Sequence, residues 1–490
     1  MNRPETPPLP PLGLTHSYAE ALPGAYAEIA PEVAPDPAPV WWNARLAQAL
    51  GLPDLSPLQA ARLVAGAALP PDARPIAQAY AGHQFGGFSP QLGDGRAHLL
   101  GEVVAPGGAR FDIALKGSGR TPFSRGGDGK AVLGPMLREA VVSEAMAALG
   151  VPTTRTLGVA LTGERVWREG FRPGASMARV ASSHIRVGTF QFFAARRMDD
   201  HLARLLAHAI ARHDPDLAPA DALGFLARVA ARQARLVAQW MGLGFIHGVM
   251  NTDNMAVSGE TIDYGPCAFL DPYAPGTVFS SIDHGGRYAW ANQPLVLGWN
   301  LARLAEALLP LIDADADRAV DRATGVIEGV AGLYAAAWAD VMRAKLGLTG
   351  AEEGDGALAE SFLSLLEGAG ADWTLCFRAL AAASSGDAAA LRAAGVDPAG
   401  LADWQARWQA RLARSGPGAA ARVRAANPAV VPRNHMVEAA LAAAEGGDLA
   451  PFTRLMEALS RPFEDRPGFE AYTLPPPAGF AEGFRTFCGT

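Results

Sequence analysis

The segment His247-Gly248-Val249-Met250-Asn251-Thr252-Asp253-Asn254 sets a histidine seven residues ahead of an asparagine. In the layout His-x-Asp-x4-Asn, the Asp takes the proton of an attacking hydroxyl and the Asn holds Mg²⁺ on a nucleotide. Val249 fills that Asp position, and valine does no proton chemistry. A carboxylate stands instead at Asp253, beside Asn254, and is the candidate general base, a role worth roughly 10² to 10⁴ in rate. Nine residues beyond Asn254, Asp263-Tyr264-Gly265 offers a second oxygen ligand. Asn254 and Asp263 as metal ligands suit Mg²⁺, with Mn²⁺ as the alternative, and do not suit zinc or iron. His247 reads as a structural histidine that holds the loop.

The same chain carries residues suited to phosphate. Phe111 to Lys116 alternates apolar and polar like a half-buried strand and ends on a lysine, and the helical pattern that follows carries Glu139. This repeats the strand-lysine and helix-glutamate pair of protein kinases, which places an ammonium on nucleotide phosphates. Of 42 basic residues only Lys116, Lys130 and Lys345 are lysines, so a retained lysine points to a need for a compact charge. Gly93-Asp94-Gly95-Arg96 and Gly126-Gly127-Asp128-Gly129 are short glycine turns whose amides can approach phosphates. Arg179 and Arg186 flank a serine-rich turn and can grip terminal phosphates by bidentate contacts.

Elements must bring these residues together. Glycine density is high from Gly82 to Gly129, interleaved with strand patterns at His98 to Val103 and Phe111 to Lys116. Apolar spacing predicts a helix over Ala131 to Leu149, with Asp128 as its cap and Gly150 as its stop. Strands are expected at Thr154 to Ala160, Arg165 to Glu169 and Ser176 to Val180. Helices are expected over Phe190 to His213 and Ala220 to Met241, the second leading into the His247 loop. The order predicts an α+β protein: residues 1–75 an N-terminal extension wrapped on the body, 76–170 a glycine-rich sheet lobe, 171–348 a helical lobe with the catalytic loop, and 349–490 a C-terminal helical extension and tail.

Composition narrows the function class. The chain has 490 residues, 49% hydrophobic and 19% charged, with a formal net charge of −7. No run of five basic residues occurs, which argues against nucleic acid as a partner. The Pro-rich start lacks a secretory pattern, no uninterrupted apolar run reaches a membrane span, and the three cysteines are too sparse for a disulfide scaffold. The expectation is a monomeric cytoplasmic protein with no membrane partner.

The runs Pro75 to Gly87 and Leu92 to Arg96, Leu115 to Arg125, His247 to Asn254, Ile262 to Pro266, and Asn427-Pro428 through Pro432-Arg433-Asn434 resemble the selenoprotein O family, also called YdiU, along nearly the whole chain. The resemblance implies a protein kinase-like bilobal fold that binds ATP in a flipped orientation. It implies transfer of AMP to Ser, Thr or Tyr hydroxyls of protein substrates. It further implies that Lys116, paired with Glu139, and Arg179 and Arg186 hold the outward phosphates, and that Gly93, Gly95, Arg96, Asp128 and Gly129 line the nucleotide. Asn254 and Asp263 would bind the metal and Asp253 would act as base. Cys488 stands where eukaryotic relatives carry selenocysteine, on a tail expected to be mobile and exposed, with Cys267 as a candidate redox partner. Two rivals remain at this point: a phosphotransferase that uses Asp253 as an ordinary kinase base, and a non-catalytic nucleotide-binding regulator.

Overall fold

The computed structural model describes residues 7–487, and Cys488 lies outside them. An eight-stranded antiparallel sheet runs in the order Tyr26–Glu28, Ile76–Gln78, Ala97–Val104, Arg110–Lys116, Phe171–Ala181, Arg155–Trp167, Ala38–Trp42, with Ala131–Val132 pairing beside Phe171–Ala181. The segment before residue 75 therefore does more than wrap the body, because it supplies the strand at each end of the sheet. The expected strands at Thr154 to Ala160 and Arg165 to Glu169 are one continuous strand, Arg155–Trp167. Its partner shifts register between Pro173 and Ala175, so a bulge absorbs the polar interruption that reads as a break in the sequence.

Register sets where Lys116 and Arg179 stand. Lys116 pairs with Ala97 on one side and Met177 on the other, and Arg179 pairs with Ala114. Residues two apart on a strand share a face, so Ala114 and Lys116 present their side chains to one side of the sheet, along with Arg179 opposite Ala114. The helix Leu133–Ala148 packs across that side. Its start differs from the expectation: the N-cap is Val132 without a side-chain cap, and Asp128 instead accepts from the Lys130 amide and pairs with Arg168.

Met136, Leu137, Ala140 and Val141 of this helix form one apolar cluster with Val437, Leu441, Phe452 and Leu455 from Asn434–Glu445 and Ala450–Leu459. The C-terminal helices thus return to clamp the helix that carries Glu139. Arg433, at the entry to this pair, is buried and bonded to Asp271 and Asp372, and Asn434 brackets the backbone of Phe269 on both sides.

The long helix expected over Phe190 to His213 is split into Val187–Ala195 and Asp199–His213. Arg197 turns the chain with a φ of +53°, outside the helical region. Ala222–Leu243 ends on Gly244 in the left-handed conformation, a glycine C-cap, and the next residues begin the His247 loop. The helix Trp290–Ile312 is long and apolar enough by length and composition to cross a membrane. In this fold Val296, Leu297, Leu301 and Leu304 lie in the main core, with Gln293 and Asn300 buried and hydrogen bonded to the backbone carbonyls of Phe245 and Met250.

Candidate nucleotide-transfer site

The loop that begins at His247 is held from all sides. His247 is fully buried, its Nε2 lies 2.9 Å from the Ile262 carbonyl, and its backbone amide donates to Gln293. The structural role expected for this histidine is what the geometry shows. Val249 is buried, and its carbonyl accepts from Asn254 Nδ2 at 3.0 Å, which turns the Asn254 Oδ1 acceptor the other way. Thr252 to Asn254 forms a single 3₁₀ turn.

A hairpin that the sequence reading gave no role closes on this turn. Strands Gly82–Gln84 and Gly87–Ser89 pair, and three donors reach across: the His83 amide to Thr252 Oγ1 (2.7 Å), the Phe85 amide to Asn251 Oδ1 (3.1 Å), and Gln84 Nε2 to Asp253 Oδ2 (3.4 Å). Asp253 Oδ1 is buried and has no hydrogen-bond partner. Burial pushes the Asp253 carboxyl up to about 6, against the pull of Arg186. A buried carboxylate with one free oxygen and an elevated pKa fits a proton acceptor at neutral pH. A Cβ on Gly82 would stand 2.7 Å from that oxygen, so any larger residue there would collide with it.

Asp263 lies at the centre of the charged cluster. Its Oδ1 is 2.7 Å from Lys116 Nζ and 2.7 Å from an Arg179 amine, and its Oδ2 is 2.7 Å from Arg186. Lys116 also meets Glu139 at 2.5 Å, and Arg179 meets Glu139 at 3.4 Å. Burial would raise the Asp263 carboxyl, but Lys116, Arg179 and Arg186 outweigh it and hold it well below the ordinary carboxylate range. Its backbone has φ +63°, a left-handed conformation that costs an L-residue of this kind roughly 1 kcal/mol. The same Arg186 nitrogen also donates to the Asp253 carbonyl at 2.6 Å and so ties Asp253 to the cluster. Three cations face two carboxylates.

The glycine turns lie beside this cluster. The Gly117 amide donates to the Arg96 carbonyl at 2.7 Å, directly after Lys116. Thr121 Oγ1 donates to the Asp94 carbonyl at 2.6 Å, and Ser124 bonds the Gly95 carbonyl, which closes the loop after Lys116 onto the Gly93–Arg96 turn. Gly93 has φ +115°, and a Cβ there would enter the Phe123 ring. Gly129 accepts from the Gly119 amide at the far end of the same loop. Asp128, with its Arg168 partner, stands at that rim, and Lys130 pairs there with Glu32 and Glu164.

The structure therefore converges Lys116, Glu139, Arg179, Arg186, Asp253, Asn254 and Asp263 in one place and sets Gly93, Gly95, Arg96, Asp128 and Gly129 in adjoining turns. Residues 12–460 match the family model described as "Protein adenylyltransferase SelO". The chain belongs to the SelO family. It is accordingly a nucleotidyltransferase enzyme. The chain is similar to a protein nucleotidyltransferase YdiU of Cereibacter sphaeroides, 60% identical over 97% of this chain and 99% of the relative. Relatives of the same name in Chromobacterium violaceum and Rhizobium etli are 56% and 52% identical, over 96% and 97% of this chain and 100% and 97% of theirs.

Sequence reasoning missed Gly82, Gln84, Asn251 and Thr252 as parts of this SelO-family site. The glycine-punctuated run Gly82 to Gly87 was the available signal, but nothing in its spacing says that it folds onto a loop some 170 residues later. The thiol expected to be mobile and exposed, Cys488, lies outside the described residues; just before it Thr486 is buried, exchanges backbone hydrogen bonds with Phe279 and Ser281, and donates its hydroxyl to the Pro266 carbonyl at 2.6 Å. Cys267 is buried and free, and burial pushes its thiol up to about 12, which disfavours the reactive thiolate.

Proposed function

We propose that the chain transfers AMP from ATP to Ser, Thr or Tyr hydroxyls of other proteins, on a protein kinase-like bilobal scaffold, with the nucleotide flipped relative to a phosphotransferase. The observation that carries this reading is the free, buried Oδ1 of Asp253 next to a cluster of three cations, while the ordinary base position holds Val249. Asp253 Oδ1 accepts the proton of the acceptor hydroxyl. The hydroxyl oxygen bonds to the α-phosphorus, the bond from that phosphorus to the α,β-bridging oxygen breaks, and pyrophosphate leaves with the electron pair.

Lys116, Arg179 and Arg186 neutralise the charge that grows on the leaving group, the kind of preorganised electrostatic stabilisation that dominates many barriers. Glu139 keeps Lys116 and Arg179 aimed as Asp263 gives way. The oxygen donors Asn254 Oδ1 and Asp263 fit a hard divalent cation such as Mg²⁺ or Mn²⁺, and no groups of three or more His, Cys, Asp or Glu that could hold a metal occur among the described residues. Such a cation supplies charge neutralisation on the phosphates it accompanies.

Incubation with ATP labelled at the α or the γ phosphate, followed by gel separation of acceptor proteins, tests the reading. Label from the α position alone is expected on protein. Protein labelled from γ assigns the chemistry to phosphoryl transfer and refutes the proposal.

A further inference from the structure

Arg179 is held from behind by a buried relay that the transfer chemistry does not itself use. Its Nε donates to His184 Nε2 at 3.2 Å, His184 Nδ1 lies 3.0 Å from Asp112 Oδ2, and Asp112 Oδ1 accepts from Arg212 at 2.6 Å. The His184 amide also donates to Asp112 Oδ2, at 2.9 Å. Arg179, His184 and Asp112 are each 3% exposed or less.

The hydrogen count along this relay has one solution. An arginine Nε–H can only donate, so His184 Nε2 must be the unprotonated acceptor, and Nδ1–H must donate to Asp112. Arg179 uses its Nε on His184 and one terminal amine on Glu139 and Asp263. With Nε pinned, the planar guanidinium cannot rotate about its long axis, and its terminal amines stay aimed at the cluster when Asp263 lets go. We propose that His184, set in a fixed tautomer by Asp112, is a positioning residue that orients Arg179 toward the nucleotide phosphates. The inference rests on the reading of Arg179 as a phosphate ligand.

Two substitutions separate positioning from support of the fold. His184→Gln keeps an acceptor near the Nε2 position, whereas His184→Asn keeps only a group near Nδ1 that can bond Asp112. Calorimetric titration of full-length protein with MgATP is expected to give a Kd about ten- to a hundredfold weaker for H184N, the loss expected of one hydrogen bond to a charged group, and near wild type for H184Q. Thermal midpoints of both variants serve as fold controls. In an R179A background, H184N is expected to cause no further loss, because it acts only through the missing guanidinium.

Wild-type affinity in H184N, equal losses in both variants, or additive losses with R179A would each overturn the proposal. The label test above fails independently: γ label on protein would refute AMP transfer while leaving the Kd pattern of these variants intact.

Discussion

Replacing Gly82 with alanine probes the free oxygen of the proposed base, Asp253, without removing any charged group. The added methyl would stand 2.7 Å from Asp253 Oδ1, 3.1 Å from its Cβ and 3.2 Å from its Cγ. Gly82 does not have a positive φ, so alanine brings no backbone strain and the whole effect is collision. The Asp253 side chain must rotate away or the hairpin must lift, and overpacking of this kind costs about 1–3 kcal/mol of stability. Either movement takes Oδ1 from its place or covers it with a methyl.

Turnover is expected to fall by roughly 10² to 10⁴, the contribution of a positioned general base. MgATP affinity should hold, because Lys116, Arg179, Arg186 and Asp263 keep their contacts. The assay is transfer of α label at saturating ATP, with calorimetric MgATP binding and thermal unfolding on the same preparations. Turnover within about fivefold of wild type, with the variant folded, would refute the assignment of Oδ1 as the proton acceptor.

The elevated carboxyl of Asp253 has two further consequences. Because the base works ionised, transfer is expected to be flat at neutral pH and to fall as pH drops through about 6, with that limb absent in Asp253→Asn, whose residual rate is low throughout. The folded carboxyl titrates near 6 against an ordinary 3.8, so its ionised form costs the fold about 3 kcal/mol above pH 6, a cost that disappears as pH falls toward 3.8. Asp253→Asn should therefore raise the thermal midpoint at pH 8, with the gain shrinking at pH 4.5; a lowered midpoint at pH 8 would contradict the burial argument. Asp263→Asn removes the carboxylate that occupies three cations, while Lys116 and Arg179 keep Glu139 and Arg186 keeps the Asp253 carbonyl. ATP titrated in excess EDTA is expected to bind D263N about tenfold tighter than wild type even though Mg²⁺-supported transfer is lost, and unchanged or weaker metal-free binding would show that Asp263 does not compete with phosphate.

Much of the site was legible because its chemistry resides in residue types at short spacing. His247, Val249, Asp253, Asn254 and Asp263 lie within 17 residues, and a valine in a base position is visible without coordinates. The pair Lys116 and Glu139 was readable because a strand and the following helix are neighbours in sequence. The strand at Arg155–Trp167 was read as two, since a bulge leaves no periodicity that a sequence pattern can follow. Asp128 was misassigned as a helix cap because a cap and an Asx turn draw on the same side chain, and the competing bond to Arg168 comes from the bend after a strand, 40 residues later.

By itself the sequence determined the inventory: the carboxylates Glu139, Asp253 and Asp263, the amide of Asn254, three cations and the glycines that let loops approach one another. Only the tertiary structure decided which groups share charge and which oxygen stays free. Asp263 is gripped by three cations, Gln84 takes one oxygen of Asp253, and His184 with Asp112 fixes Arg179, all through contacts 5 to 169 residues apart. Such pairings follow from the register of an antiparallel sheet and from a hairpin packed on a loop. Local propensity carries no information about either, because the energies that choose them are burial and long-range charge complementarity.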